Sequence, residues 1–76
     1  MTDRQESEGR VTALRGAVVD IAFPSGDLPP IDDALHIEDA DRGTVVVEIQ
    51  AHLDANTVRA IALQATSGLR RGDTVH

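Results

Sequence analysis

An all-β fold is what this 76-residue sequence predicts, on three observations. Apolar and polar residues alternate strictly along "GTVVVEIQAHL" (43–53). They alternate again along "GAVVDIAF" (16–23). Gly, Pro, Asp and Asn gather between these runs, where a chain of short strands has to turn.

The elements follow in chain order. Residues 1–8, "MTDRQESE", are polar and lack the apolar stretch of a signal peptide, so they are expected to be a disordered tail before one domain over 9–76. "RVTALR" reads as a weak strand. Gly16 leaves no evident room for a hairpin loop, and is expected to mark a bend or bulge where a strand turns a corner, as small barrels require. In "GAVVDIAF", Ala17, Val19, Ile21 and Phe23 share one face while Val18, Asp20 and Ala22 share the other.

"FPSGDLPPIDDAL" follows. Pro29 and Pro30 lack amide donors and have fixed φ, so this stretch is neither helix interior nor central strand; it is a stiff connector. "ALHIE" alternates, and "EDADRG" reads as a hairpin turn into the 43–53 strand. That strand sets Val45, Val47, Ile49, Ala51 and Leu53 on one face, against Glu48, Gln50 and His52. "DAN" (54–56) suggests a second hairpin, with Asp or Asn in left-handed geometry. From residue 56 to 72 two readings stay open. Val58, Ile61, Ala62, Ala65 and Leu69 fit one helical face, with Asn56 as N-cap and Gly72 as stop. "TVRAIALQ" also alternates as a strand.

Composition excludes several functions. The net charge is −6, all seven basic residues are Arg, and there is one aromatic ring. No basic stripe or stacking platform for nucleic acid results. No apolar stretch reaches the ~18–20 residues of a membrane-spanning helix, so no membrane insertion is expected. With no cysteine there is no disulfide or thiolate metal site. So small a chain gains from a closed hydrogen-bond network or from neighbours.

Catalytic constellations are weak. The phosphate-cradling loop needs a Lys, and G-x-G-x-x-G is missing. His36, Glu38 and His52 allow only a sketch of a zinc site, since a clear fourth ligand is lacking; a solvated strand face is the plainer reading. Asp32 and Asp33 read as turn acids rather than a catalytic pair. Ser25 and Ser67 can be forced into a triad only against the mobile character of their surroundings. Catalytic, cofactor-binding and metal residues are therefore expected to be none. Asp20 and Arg59 are harder to dismiss. Each stands between apolar neighbours and needs a partner if buried, either the other one or a group across a subunit contact.

Four blocks carry a resemblance: "GRVTALRGAVVDIAF", "LPPIDDAL", "VEIQAHLDANTVRAIAL" and "TSGLRRG". In this order and spacing they resemble the N-terminal β-barrel domain of the catalytic beta subunit of rotary ATP synthase, from Gly9 to about Val75. Gly16, Val18, Val19 and Asp20 fill the family's G-x-V-V-D run, and Leu28, Pro29 and Ile31 its L-P-x-I. His52 and Leu53, then Val58 and Arg59, match its H-L and V-R. Gly68, Leu69, Arg71 and Gly72 meet its closing G-L-x-R-G. Arg15 and Asp54 depart from the usual pattern and look more like the divergent beta subunits of a second ATPase set in some bacteria.

The resemblance implies a small closed six-stranded antiparallel β-barrel. Residues 57–63 become strand, and a last strand starts near Asp73, cut short at His76. It implies a ring-forming structural role in a headpiece for ATP synthesis or hydrolysis coupled to proton or sodium transport. Neighbouring alpha subunits are the implied partners. The ATP/ADP and Mg sites would lie in a following domain, so the fragment itself is expected to be no enzyme and to hold no cofactor. The complex would sit on the cytoplasmic face of a bacterial membrane. Gly16, Asp20, Pro29, Arg59, Gly68, Arg71 and Gly72 are the expected structural or interface positions. The rivals are a free-standing β-barrel adaptor and the equivalent barrel of a flagellar or secretion ATPase.

Overall fold

The structure, a computed structural model, describes residues 8–39, 43–66 and 68–75. Residues 1–7 of the expected 1–8 tail, the centre of the "EDADRG" turn, Ser67 and the terminal His76 lie outside the described residues. Six strands form: β1 (Gly9–Arg15), β2 (Val18–Ala22), β3 (Ala34–Asp39), β4 (Gly43–His52), β5 (Thr57–Ala62) and β6 (Thr74–Val75). They close into a barrel in the order β1-β2-β5-β4-β3-β6, with every neighbouring pair antiparallel. The segment from residue 57 is strand, as the resemblance implied, and no helix occurs among the described residues.

Alternation decides what fills the interior. Val19 and Ile21 from β2 point inward with Val45, Val47 and Ile49 from β4, and with Leu35 and Ile37 from β3. On β5 the inward set is Val58, Ala60 and Ala62, while the larger Ile61 and Leu63 stand outside. Small residues suit the inner wall of a six-stranded barrel, whose bore is narrow. Phe23 is fully buried where β2 ends. Leu28, from the Pro-Pro connector, packs against the core, as does Leu14 of β1.

The connector is stiff and also partly strand-like. The Asp32 amide donates to the Ile49 carbonyl and the Ile49 amide to the Asp33 carbonyl, at 2.9 Å each. The segment thus extends the β3–β4 ladder before β3 begins. All three X-Pro bonds are trans, and Asp32 turns the chain with φ +78°. His52 Nε2 donates to the Pro29 carbonyl at 2.8 Å, tying the connector to the end of β4.

Three local expectations are corrected. Gly16 is not a bend within a strand. Arg15 pairs with Val18, so Gly16 and Ala17 are the two residues of a tight β1–β2 hairpin. The positive φ falls on Gly16, the first turn position, +58°, which is where a type II′ turn needs it. Thr66 Oγ1 donates to the Gly16 carbonyl at 2.9 Å and braces the turn. The bulges lie elsewhere, between Val11 and Ala13 and between Ile49 and Ala51. The second one breaks the alternation of the 43–53 run. Ala51 comes to pair with outward-facing Arg59, and Leu53 ends 44% exposed instead of joining the core face. In the β4–β5 loop neither Asp54 nor Asn56 uses left-handed geometry. Asp54 Oδ1 accepts the Asn56 amide at 2.8 Å, and Asn56 Nδ2 reaches the Phe23 carbonyl.

Gly9 is required for a different reason. A Cβ there would lie 2.8 Å from an Ile21 side-chain carbon, 2.9 Å from the Ala22 carbonyl oxygen and 2.9 Å from the Phe23 ring. Gly9→Ala is expected to destabilise the domain by about 1–3 kcal/mol, the range for overpacking a close contact. Asp32→Gly should raise stability by up to about 1 kcal/mol, because glycine holds a positive φ without strain. Urea-unfolding midpoints of the two variants test both signs.

Candidate functional site

The most deeply placed charge among the described residues is Asp20, in the middle of β2. Its neighbours Val19 and Ile21 turn inward, so strand geometry sends Asp20 to the outer face. Register then selects its partner. β2 and β5 pair so that Asp20 stands opposite Arg59. Directly opposite residues have Cβ atoms about 4.5–5.5 Å apart, within easy reach of a guanidinium.

The two form a fork. Arg59 Nε donates to Asp20 Oδ1 at 2.9 Å and Nη2 donates to Oδ2 at 3.1 Å. The Asp20 side chain is only 12% exposed, whereas Arg59 lies over it at 41%. Thr12 Oγ1 adds a hydrogen bond to the Asp20 carbonyl at 3.2 Å. The Arg59 hydrogen bonds hold the Asp20 carboxyl below the usual aspartate range, with burial opposing and the charges of Arg59 and Arg15 assisting. Asp20 in turn raises the pKa of Arg59. Each charge therefore has the other, rather than open water, as its partner.

The remaining expected positions are structural neighbours of the ladder. Pro29 is bound through its carbonyl to His52. Gly72 takes φ +94° and donates its amide to the Val11 carbonyl at 2.7 Å, where the chain enters β6. Gly68 precedes Leu69, which is buried. Arg70 and Arg71 are exposed; the Arg70 amide is held by Asp73 Oδ2 at 2.8 Å.

The chemical constellations are not brought together. His36 sits opposite Val46, and His52 is six residues further along β4, roughly 20 Å away at strand rise. Among the described residues no group of three His, Cys, Asp or Glu is placed to hold a metal. Asp32 and Asp33 are exposed in a turn, and their backbones, not their carboxylates, make the contacts with Ile49. Ser25 lies in an exposed turn and receives the Asp27 amide at 3.4 Å.

The sequence sets Val18 on the outer face of its strand and Ile61 with Leu63 on one side of theirs, but does not single out Val46. Val18 stands opposite Ile61, and the Leu63 amide donates to the Val46 carbonyl at 3.0 Å. Their signal was present in the strand pattern: apolar residues on both faces of β2 and β5.

A closed six-stranded antiparallel barrel whose buried Asp20 is paired with Arg59 places the chain among the small closed β-barrel domains. The β-barrel domain of the ATP synthase alpha/beta family matches residues 11–76, and the chain belongs to that family. It is 59% identical over 70 residues to ATP synthase subunit beta 3 of Paraburkholderia xenovorans, covering 92% of this chain and 14% of that protein. It is 52% identical over 69 residues to subunit beta 2 of Burkholderia thailandensis, covering 91% of this chain and 14% of that protein. Subunit beta 1 of P. xenovorans is 50% identical over 68 residues, covering 90% and 14%. The chain thus spans about one seventh of the length of these curated relatives, and groups with the N-terminal barrels of beta subunits. These matches favour that assignment over a free-standing adaptor or a flagellar or secretion ATPase.

Loss of the Asp20 charge tests the pair. Asp20→Asn should cost about 1–2 kcal/mol at neutral pH, the scale of hydrogen bonds to a charged group. The folded pKa lies below the unfolded value near 3.8, so the contribution is complete above that value and is lost as pH falls through the folded one. The stability gap between wild type and Asp20→Asn, from urea melts, should hold level from pH 8 to about pH 5 and narrow below about pH 4.

Proposed function

We propose that this domain is a ring-forming element at the top of an ATP synthase headpiece. In this reading it holds a catalytic beta-type subunit to neighbouring alpha subunits through barrel–barrel contacts. The observation that carries it is a closed barrel with apolar residues on its outside as well as its inside; among the described residues no group of three His, Cys, Asp or Glu gathers to hold a metal.

The division of labour follows. ATP or ADP and Mg are handled by other parts of the complete subunit, and the barrel contributes cohesion while those parts move. The complex is peripheral, on the cytoplasmic face of a bacterial membrane, and its turnover is coupled to proton or sodium transport. Numbered relatives support placement in a supplementary ATPase set. P. xenovorans carries both a beta 3, at 59% identity to this chain, and a beta 1, at 50%. The chain is nearer to the higher-numbered copy, in line with Arg15 and Asp54 departing from the usual pattern.

Deleting residues 9–75 from the complete beta-type subunit should abolish stable assembly with the alpha subunit of the same cell, measured by gel filtration and light scattering. The 76-residue chain alone should show no ATP turnover above buffer in a phosphate-release assay. Assembly that survives the deletion, or turnover by the isolated chain, overturns the proposal.

A further inference from the structure

Charges of alternating sign run across the outside of four neighbouring strands: Arg15 on β1, Asp20 on β2, Arg59 on β5 and Glu48 on β4. Register sets all four on the outer surface. Leu14 pairs with Val19 and both face the core, so the next residue of each strand, Arg15 and Asp20, points out. Arg59 stands between buried Val58 and Ala60, and Glu48 between buried Val47 and Ile49. Asp20 is directly opposite Arg59. The outer two are diagonal. Arg15 pairs with Val18, two residues along from Asp20 on the same face. Glu48 pairs with Ile61, two residues along from Arg59. Diagonal neighbours lie about 7–8 Å apart, within reach of a long side chain.

Only the middle of this row is joined. The fork binds Asp20 to Arg59, and among the described residues neither Arg15 nor Glu48 has an ion-pair partner. One carboxylate thus has two arginines beside it, and one arginine has two carboxylates. We propose that the row has a second pairing, Arg15 with Asp20 and Arg59 with Glu48, in which Arg15 is the reserve partner that keeps Asp20 paired when Arg59 turns away.

The side chains divide the work. Asp20 is short, 12% exposed and held on its strand, so it stays in place; Arg59 lies over it at 41% and has a long stem on which to swing. Removing Arg59 with no replacement would strand a mostly buried carboxylate, which is the costly outcome. Arg15 already acts on that group. The Arg59 hydrogen bonds do most to hold the Asp20 carboxyl below the usual aspartate range; burial opposes them, and the charges of Arg59 and then Arg15 assist. The observed pairing is favoured because directly opposite residues can form the two-bond fork, which a diagonal pair gives up. The second pairing makes two ion pairs in place of one, and the row is neutral in both. Nearby charges are engaged elsewhere: Arg10 with Thr74 and Glu8, and His52 with the Pro29 carbonyl. On the far side of β4, His36 stands diagonal to Glu48, so every variant is built on His36→Gln to keep its titration out of the comparison.

Two double-mutant cycles, from urea melts of the 76-residue chain at neutral pH, test the proposal. Arg15→Gln should lower the folding constant by less than about twofold while Arg59 is present, and by about fivefold once Arg59→Gln has removed the fork. Glu48→Gln should cost less than about twofold with Asp20 in place and about threefold in the Asp20→Asn background. Carboxyl NMR reads the exchange directly. In Arg59→Gln the Asp20 carboxyl should still titrate below the ordinary value of 3.8, and above it when Arg15→Gln is added. Equal effects of Arg15→Gln in the two backgrounds, or an Asp20 carboxyl above 3.8 in Arg59→Gln alone, overturn the role of Arg15. Equal effects of Glu48→Gln overturn that of Glu48. If Arg59→Gln fails to fold while Arg59→Gln with Asp20→Asn folds, Asp20 has no reserve partner and the proposal falls. If both fail, Arg59→Met, which keeps the apolar stem, takes the place of Arg59→Gln with the same expected and overturning results.

Discussion

Closure of the sheet is the constraint on which the rest of this domain depends. Each strand must find a partner on both sides, and a chain with so few large apolar residues has little else to compensate for the entropy of ordering it. Closure sets the bore. It places Ala60 and Ala62 on the inner wall of β5 where Val and Ile line β4, and it leaves Ile61 and Leu63 on the outside. It also explains the ends. Phe23, Leu28 and Leu69 are drawn in from turns and connectors because a barrel of short strands has open mouths to plug.

The outer face follows from the same geometry. Alternation that sends Val19 and Ile21 inward must send Asp20 outward, and closure against β5 sets it opposite Arg59. The resulting fork gives the outside of the barrel a neutral centre.

Much of this was legible in the residues. Alternation in "VVDIA", "ALHIE" and "TVVVEI" marked strands and their inward faces, because a period of two is a local property of extended chain. Asp20 and Arg59 stood out for the same local reason: a charge between apolar neighbours. Three features were not legible. Gly16 serves a hairpin rather than a bend, which depends on Arg15 and Val18 pairing. The bulge after Ile49 depends on register with β5. The 56–72 segment satisfied helical and strand periods alike, and the pattern of its residues could not choose between them.

The sequence by itself therefore determined strand content, the position of the Pro-Pro connector, and family membership through four ordered blocks. Only the tertiary structure decided that Asp20 meets Arg59 and that β5 turns its alanines inward. The physical reason is range. Periodicity and turn chemistry act within a few residues, whereas strand register and closure join positions such as 20 and 59, or 9 and 75, that only the folded chain brings together.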